Sequence, residues 1–346
     1  MENKVKKRVL INDIAKQLNV SIATVSLVLN GKAKENRIST ALAERVLKHV
    51  EEVGYKPNQL AKSLRTGKTH VIGLIVEDIS NPFFATVAWL IEKQAFARGY
   101  RIIYCSTNDD AEKTKDLISM FHDRHVDGYI IAPPEGVEKD INFLLKENIP
   151  TVLFDRSLPN LTADYVVVDG KTGMYDATCH LLNQGFSDIA FVTTRSEQVQ
   201  MQGRMIGYKQ ALAERGKDHK IKRVSFEKID PNTTNEIRDF ILANSTCDAI
   251  IFANNSLTIH GLEAIKQLKM RIPEDMAIIS FDDNDFFRLY SPEITVIEQP
   301  VESIVQHSID ILFKKLDGSS SDKKTISTIT LSTSLIIRES SLRKKA

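Results

Sequence analysis

Ile11–Asn30 read INDIAKQLNVSIATVSLVLN. Ile11, Ile14, Ala15 and Leu18 recur at helical spacing and give one apolar stripe; Val25, Val28 and Leu29 give a second. Between the stripes stand Asn19, which tolerates turn conformations, Val20 as an apolar plug, and Ser21, a good N-cap. Two short helices joined by so tight a bend make a helix-turn-helix, the device that lays its second helix in the major groove of DNA. Further out, Ser39 opens a third helix whose apolar positions are Leu42, Val46, Leu47 and Val50, and Gly54 is its stop. Tyr55-Lys56-Pro57 closes this element. Residues 58–65, NQLAKSLR, are too few for a helix stable by itself, and TGKT at 66–69 reads as a flexible joint.

The chain has 346 residues, enough for two or three domains. Its formal net charge of +1 conceals an asymmetry. Residues 1–68 carry 14 Lys and Arg against 6 Asp and Glu, a balance of +8, and the remainder carries −7. A positive head suits a polyanion, because each phosphate contact releases condensed counterions. The charges are interleaved with an apolar pattern, unlike those of a solvated tail. No apolar run approaches membrane-spanning length, and MENKVKKRVL lacks the apolar core and cleavage site of a signal peptide, so a cytoplasmic location is expected. Cys105, Cys179 and Cys247 lie far apart without metal-ligand spacing and read as reduced, buried thiols. No nucleophile triad, phosphate-cradling loop or metal-ligand cluster stands out among eight histidines, and Gly170–Gly173 are too sparse for a nucleotide loop. An enzyme, a cofactor and a metal are therefore not expected.

From His70 the texture changes. VIGLIV, RIIYCS, GYIIA, TVLFD and YVVVD read as strands, with helices at Pro82–Ala97 and Lys113–Asp123 among them. After Asp169-Gly170 the pattern restarts with a helix to Asn183, IAFVT, helices near 207–214 and 235–242, AIIFA, a helix to Leu268 and AIISFDD. The tail adds a helix over Val301–Leu316, a polar loop and a strand, TLSTSLIIR. Continuous apolar strands alternating with amphipathic helices imply parallel sheets covered on both faces. Two such runs imply two similar subdomains with a cleft, and ligands bind beyond the carboxyl ends of such strands. Several strands end there in polar residues: Glu77-Asp78, Asp155-Arg156, Asn254-Asn255 and Asp282-Asp283.

DIAKQLNVSIATVSLVLNG, GYKPNQLAKSLRTGKTHVIGLIV, NPFF, VDGYII, VLFDR, GRMIGY, ANN, RIPEDMAIISFDD and SPEITVIEQP stand in this order along nearly the whole chain. Together they resemble the LacI/GalR family of bacterial transcription regulators. The resemblance implies an α/β protein with a small all-α helix-turn-helix head and two doubly wound α/β subdomains of periplasmic-binding-protein type. Its domains would be the head over 1–56, a hinge helix and linker over 57–69, and an effector-binding and dimerisation core over 70–346. Within the core, 70–168 and 298–328 would form the first subdomain, 169–297 and 329–346 the second. The implied function is a regulator that binds a near-palindromic operator as a homodimer and answers to a small-molecule effector. In this family repression is the default. A sugar or sugar derivative is the first expectation for the effector, and a nucleobase the second. The chain ends at SLRKKA without the leucine heptad that makes some relatives tetramers, so a dimer is expected. Residues 70–346 alone would read as a sugar-binding transport protein, but the basic head and the absent signal peptide argue against it.

The resemblance also assigns residues. Ser21–Asn30 would be the recognition helix, with Ile22 and Ala23 toward base edges and Leu27 one turn further on. Relatives tend to carry hydrogen-bonding residues there; these apolar ones would read shape and thymine methyl groups. Helical spacing keeps Val25 and Val28 buried and leaves Ala23 and Leu27 exposed. Ser21 is counted with the DNA-binding residues as the start of that helix, and Thr24, Ser26, Asn30 and Arg37 are candidates for phosphate contacts, which position the head without specifying. In the hinge Leu64 would wedge into the minor groove, with Ala61 and Lys62 along it. In the cleft Phe83 and Phe84 would be walls, and Asp155, Arg204, Asn254 and Asp282 a polar ring suited to vicinal hydroxyls. From the residues alone, Phe84 reads equally as core, and Asp155 and Asp282 as caps of the turns after their strands. Asn255, His260 and Lys269 depart from the residues most usual in the family. Leu64→Ala is expected to lose specific operator affinity while keeping a salt-sensitive non-specific component in a binding titration. Unchanged specific affinity would contradict the wedge.

Overall fold

Side-chain caps set the bounds of the head's short helices. The computed structural model describes residues 9–55, 67–225, 231–318 and 326–343, and the chain divides into two compact units between Thr69 and His70. Helix α1 (Ile11–Leu18) opens where the Asp13 carboxylate accepts the Leu10 N–H at 2.9 Å, and closes on Asn19 in the left-handed region, φ 54°. Helix α2 (Ile22–Leu29) opens at Ser21, whose hydroxyl accepts the Thr24 N–H at 3.0 Å. Helix α3 (Thr40–Glu52) opens likewise at Ser39, and Gly54 follows its end at φ 62°. Each such N-cap is worth about 1 kcal/mol. The rest comes from one small core of Ile14, Ala15, Val25, Val28 and Val46, on which Ile11, Leu18, Leu29, Leu42 and Val50 pack. Leu47 departs from the stripe expected for the third helix and is 50% exposed. One residue past Val46, it is turned about 100° around the helix.

The second unit holds two sheets of six strands. The first contains β1 (Val71–Val76), β2 (Arg101–Ser106), β3 (Gly128–Ile131), β4 (Thr151–Phe154), β5 (Asp164–Asp169) and β11 (Thr328–Ser332). The second contains β6 (Ile189–Thr194), β7 (Lys220–Val224), β8 (Ala249–Phe252), β9 (Ala277–Phe281), β10 (Thr295–Glu298) and β12 (Ser334–Ile336). Their orders correspond: β2-β1-β3-β4-β5-β11 and β7-β6-β8-β9-β10-β12. All pairs are parallel except β10 with β12. Helices α4 (Pro82–Ala97), α5 (Ala111–Asp123) and α6 (Glu138–Lys146) serve the first sheet. Helices α7 (Gly170–Asn183), α8 (Val199–Ala213), α9 (Pro231–Ala243) and α10 (Asn255–Gln267) serve the second, followed by the short α11 (Asp285–Leu289). Helix α12 (Val301–Leu316) returns to pack on β3, β4 and β5. Ile72, Leu74 and Val76 face the layer of α4 and α12, whereas Ile75, Tyr129 and Ile131 face α5 and α6. Covering both faces explains why these strands read as unbroken apolar runs.

Three differences from the sequence reading have physical causes. TLSTSLIIR is not one strand: β11 stays paired to β5 through Ser332, and β12 begins at Ser334 on the other sheet. The last crossing between lobes therefore falls at Thr333 and not near 328, with no glycine or proline to mark it. RIIYCS forms an outer edge, leaving Ile103 37% and Tyr104 54% exposed. KIKRV forms the other sheet's outer strand, whose charged, half-solvated composition gave no strand signal. Helices α7 and α8 cross so closely that a Cβ on Gly207 would lie 2.1 Å from the Lys171 carbonyl oxygen. Backbone cannot yield as a side chain tip can, so Gly207→Ala is expected to destabilise the core by about 1–3 kcal/mol in urea unfolding. An unchanged midpoint would contradict this packing.

Candidate functional site

On α2 the residues that do not pack inward form a surface without charge. Ser21, Ile22, Ala23 and Asn30 are exposed, Ile22 at 47%, while Thr24, Ser26 and Leu27 are half-buried. Leu27 thus departs from its expected exposure, although it is not a member of the head's core. Arg37 is exposed in the loop before α3, at φ 55°. Ala61, Lys62 and Leu64 lie outside the described residues.

In the second unit, strands of both sheets direct their carboxyl ends into one cavity of about 540 Å³. It is lined by all six residues expected there: Phe83, Phe84, Asp155, Arg204, Asn254 and Asp282. The two aspartates hold matching places in the repeat. Asp155 follows β4 at φ 66° and donates its N–H to Val166 of β5; Asp282 follows β9 at φ 70° and donates to Ile297 of β10. Left-handed backbone costs an aspartate about 1–2 kcal/mol and aims its side chain off the strand. Neither carboxylate is used as a turn cap. Asp155 accepts from Arg156 Nε at 3.1 Å and Asp282 from Gln299 Nε2 at 2.6 Å. Phe84 is both wall and core, 4% exposed and edge-on to Phe154 at 6.2 Å between ring centres. Phe83 meets it edge-on at 5.0 Å. Asn254 caps α10 through Oδ1, which accepts the Leu257 N–H at 2.8 Å.

Arg156, Asp109, Gln198 and Gln299 also line the cavity; the sequence reading marks Arg156 only as a polar strand end and does not single out the other three. The nearly buried Arg156 donates to Glu77, Asp109 and Asp155, knitting the ends of three strands of the first sheet. Its signal was the Arg of VLFDR; Gln299 sat similarly in EQP. Asp109 and Gln198 carried no local signal, because their meaning is a contact across the cleft: Gln198 Nε2 donates to Asp109 Oδ2 at 2.5 Å. A second contact between lobes joins Asn255 Nδ2 to Asn81 Oδ1 at 3.3 Å. Arg204 stacks on Phe281, its guanidinium carbon 3.5 Å from the ring centre, and donates to the Ala253 carbonyl at 2.5 Å. Its Nε is buried without a partner among the described residues, as is Gln200 Oε1. Unmet buried donors and acceptors of this kind suit a polar ligand.

Burial dominates the electrostatics. It pushes the Asp155 carboxyl up to about 7, a shift that Arg204 opposes and Asp282 and Asp109 reinforce. Burial also raises Asp282 and Asp109, and lowers Arg156 to about 10. For Asp155 the folded chain keeps a proton that the unfolded chain has released, so stability falls as pH rises between about 4 and 7. Relative to Asp155→Asn, the ligand-free protein is expected to lose up to about 4 kcal/mol over that window in urea unfolding. Parallel pH profiles for the two proteins would contradict this.

Residues 10–58 match the family model "Bacterial regulatory proteins, lacI family", and 178–341 match a periplasmic binding protein-like domain. The ribose operon repressor of Halalkalibacterium halodurans is 31% identical over 331 residues, 95% of this chain and 96% of that protein. The repressor PurR of Aliivibrio fischeri is 28% identical, over 91% of this chain and 94% of its own. Among solved structures, the lac repressor dimer bound to operator and the anti-inducer ONPF superposes with a TM-score of 0.83 at 21% identity, covering 97% of this chain and all of that one. A LacI family regulator from Enterococcus faecium with bound ribose gives 0.71 at 26% identity, covering 80% of this chain and all of its own. Among the described residues no helix is long and apolar enough to cross a membrane. With a relative above 30% identity along almost its whole length, the chain belongs to the lacI family of DNA-binding transcriptional regulators.

Proposed function

We propose that the protein is a dimeric repressor of a near-palindromic operator, controlled by a neutral sugar held between the two lobes of its core. The observation that carries the effector assignment is the convergence of Asp155, Arg204, Asn254 and Asp282 with Phe83 and Phe84 on one cavity. Paired carboxylates accept from vicinal hydroxyls, a guanidinium donates to a ring or hydroxyl oxygen, and a phenyl face covers the apolar side of a sugar. The ribose-bound relative and the ribose operon repressor support the same class. Ser21, Ile22, Ala23, Thr24, Ser26, Leu27, Asn30 and Arg37 would meet DNA from the head, and Ala61, Lys62 and Leu64 from the hinge. Dimerisation is supported by an apolar face on the core. Trp89 and Phe96 of α4 are 59% and 60% exposed, a helical repeat apart, and Tyr104 on β2 is 54% exposed. A nucleobase effector is the rival reading, favoured by the relatives named PurR.

The test is DNA selection from random duplexes by the full-length protein, followed by titration of the selected operator complex with a panel of pentoses, hexoses and nucleobases. One sugar is expected to change operator affinity, by a factor of about 5–150, and Arg204→Met is expected to abolish that response while leaving sugar-free operator affinity intact. A response to a nucleobase alone would replace the effector assignment. No response to any of them would overturn it.

A further inference from the structure

The recognition surface of the head has an unusual chemistry for a DNA reader. Between Ser21 and Gly31 stands no Lys, Arg, His, Asp, Glu or Gln. The polar side chains that remain are engaged with their own helix. Ser21 Oγ accepts the Thr24 N–H at 3.0 Å and shares a hydrogen bond with Thr24 Oγ1 at 2.8 Å. Asn30 Nδ2 donates to the Ser26 carbonyl at 2.6 Å. The exposed start of α2 is instead hydrocarbon: Ile22, Ala23 and, one turn on, the half-buried Leu27 outside the head's core. Lys32, Lys34 and Arg37 are exposed in the loop beyond α2, where cations suit phosphate contacts, which position without specifying.

A helix-turn-helix presents the N-terminal residues of its second helix to base edges. In the major groove each base pair shows hydrogen-bonding groups, and one apolar feature, the C5-methyl of thymine. Side chains that can neither donate nor accept discriminate there by that methyl. We infer that Ile22 and Ala23, with Leu27 beside them, select the operator by the C5-methyl groups of pyrimidines. The inference rests on the operator-binding reading above. It makes the head blind to the difference between thymine and other C5-methylated pyrimidines at the contacted steps, and sensitive to loss of the methyl alone.

The experiment uses the full-length protein, duplexes selected from a random pool, and anisotropy titrations at one fixed salt concentration. Replacing each thymine of the selected half-site in turn by deoxyuridine is expected to weaken binding about fourfold at every contacted position, the effect of exposing one buried methyl group. Replacing a contacted thymine, with its partner base, by cytosine is expected to weaken binding by a similar factor, and 5-methylcytosine at the same position to restore it. In Ile22→Ala the deoxyuridine penalty at the position under Ile22 should vanish. The deoxyuridine series needs no protein variant, so it decides the matter even if Ile22→Ala misfolds. A selected duplex that binds equally well with every thymine replaced overturns the inference and leaves the operator reading standing. Failure to select any duplex overturns the operator reading and the inference with it.

Discussion

Two guanidinium groups hold four carboxylates at the junction of the lobes, and the core is arranged around meeting that demand. Arg156 binds Glu77, Asp109 and Asp155, which come from the ends of three different strands. Arg204 lies against Phe281 with Asp155 and Asp282 as its electrostatic partners. Buried charge is costly unless paired, and two cations cannot neutralise four anions. Burial first, and then the neighbouring Asp282 and Asp109 against the opposing Arg204, raises the Asp155 carboxyl to about 7. A ligand bringing hydroxyl donors would relieve the same deficit. Of the two contacts across the cleft, Gln198 to Asp109 ties the second lobe to that network, and Asn255 to Asn81 ties it to the cap of α4. Polar bonds of this sort can exchange partners with a ligand or with water at modest net cost, which packed hydrocarbon cannot.

The internal repeat supplies the symmetry of the site. Each sheet runs in the same order, and each ends its fourth strand on an aspartate in left-handed backbone whose N–H bonds to the fifth strand. Duplicating one strand-end device in two facing lobes yields two carboxylates aimed into one cavity. The head works by other means. Its helices are short, its core small, and its bounds set by Ser21, Ser39 and Asp13. Local caps use the polar atoms of α2 and leave its hydrocarbon outward.

What the sequence revealed follows from how far each signal reaches. Helix-turn-helix spacing, unbroken apolar strands and their terminal aspartates are local patterns, and Asp155 and Asp282 stood out by them. Arg156 owes its role to Glu77 and Asp109, 79 and 47 residues away, and periodicity carries nothing about such pairs. Asp109 and Gln198 gain meaning only when two lobes close on one another. The crossing at Thr333 was hidden because alternating residues suit an edge strand of either sheet. Leu47 was misplaced because a stripe fixes a helix face only to within a residue.

The central claim is that occupancy of the cavity and occupancy of the operator are energetically linked. Calorimetry of the active sugar with the free protein and with the operator-saturated protein tests it most directly. Linkage requires that the sugar's affinity change between the two by the same factor by which it changes operator affinity. The account predicts two equal factors different from one. A sugar that binds the free and the DNA-bound protein with the same affinity would contradict it.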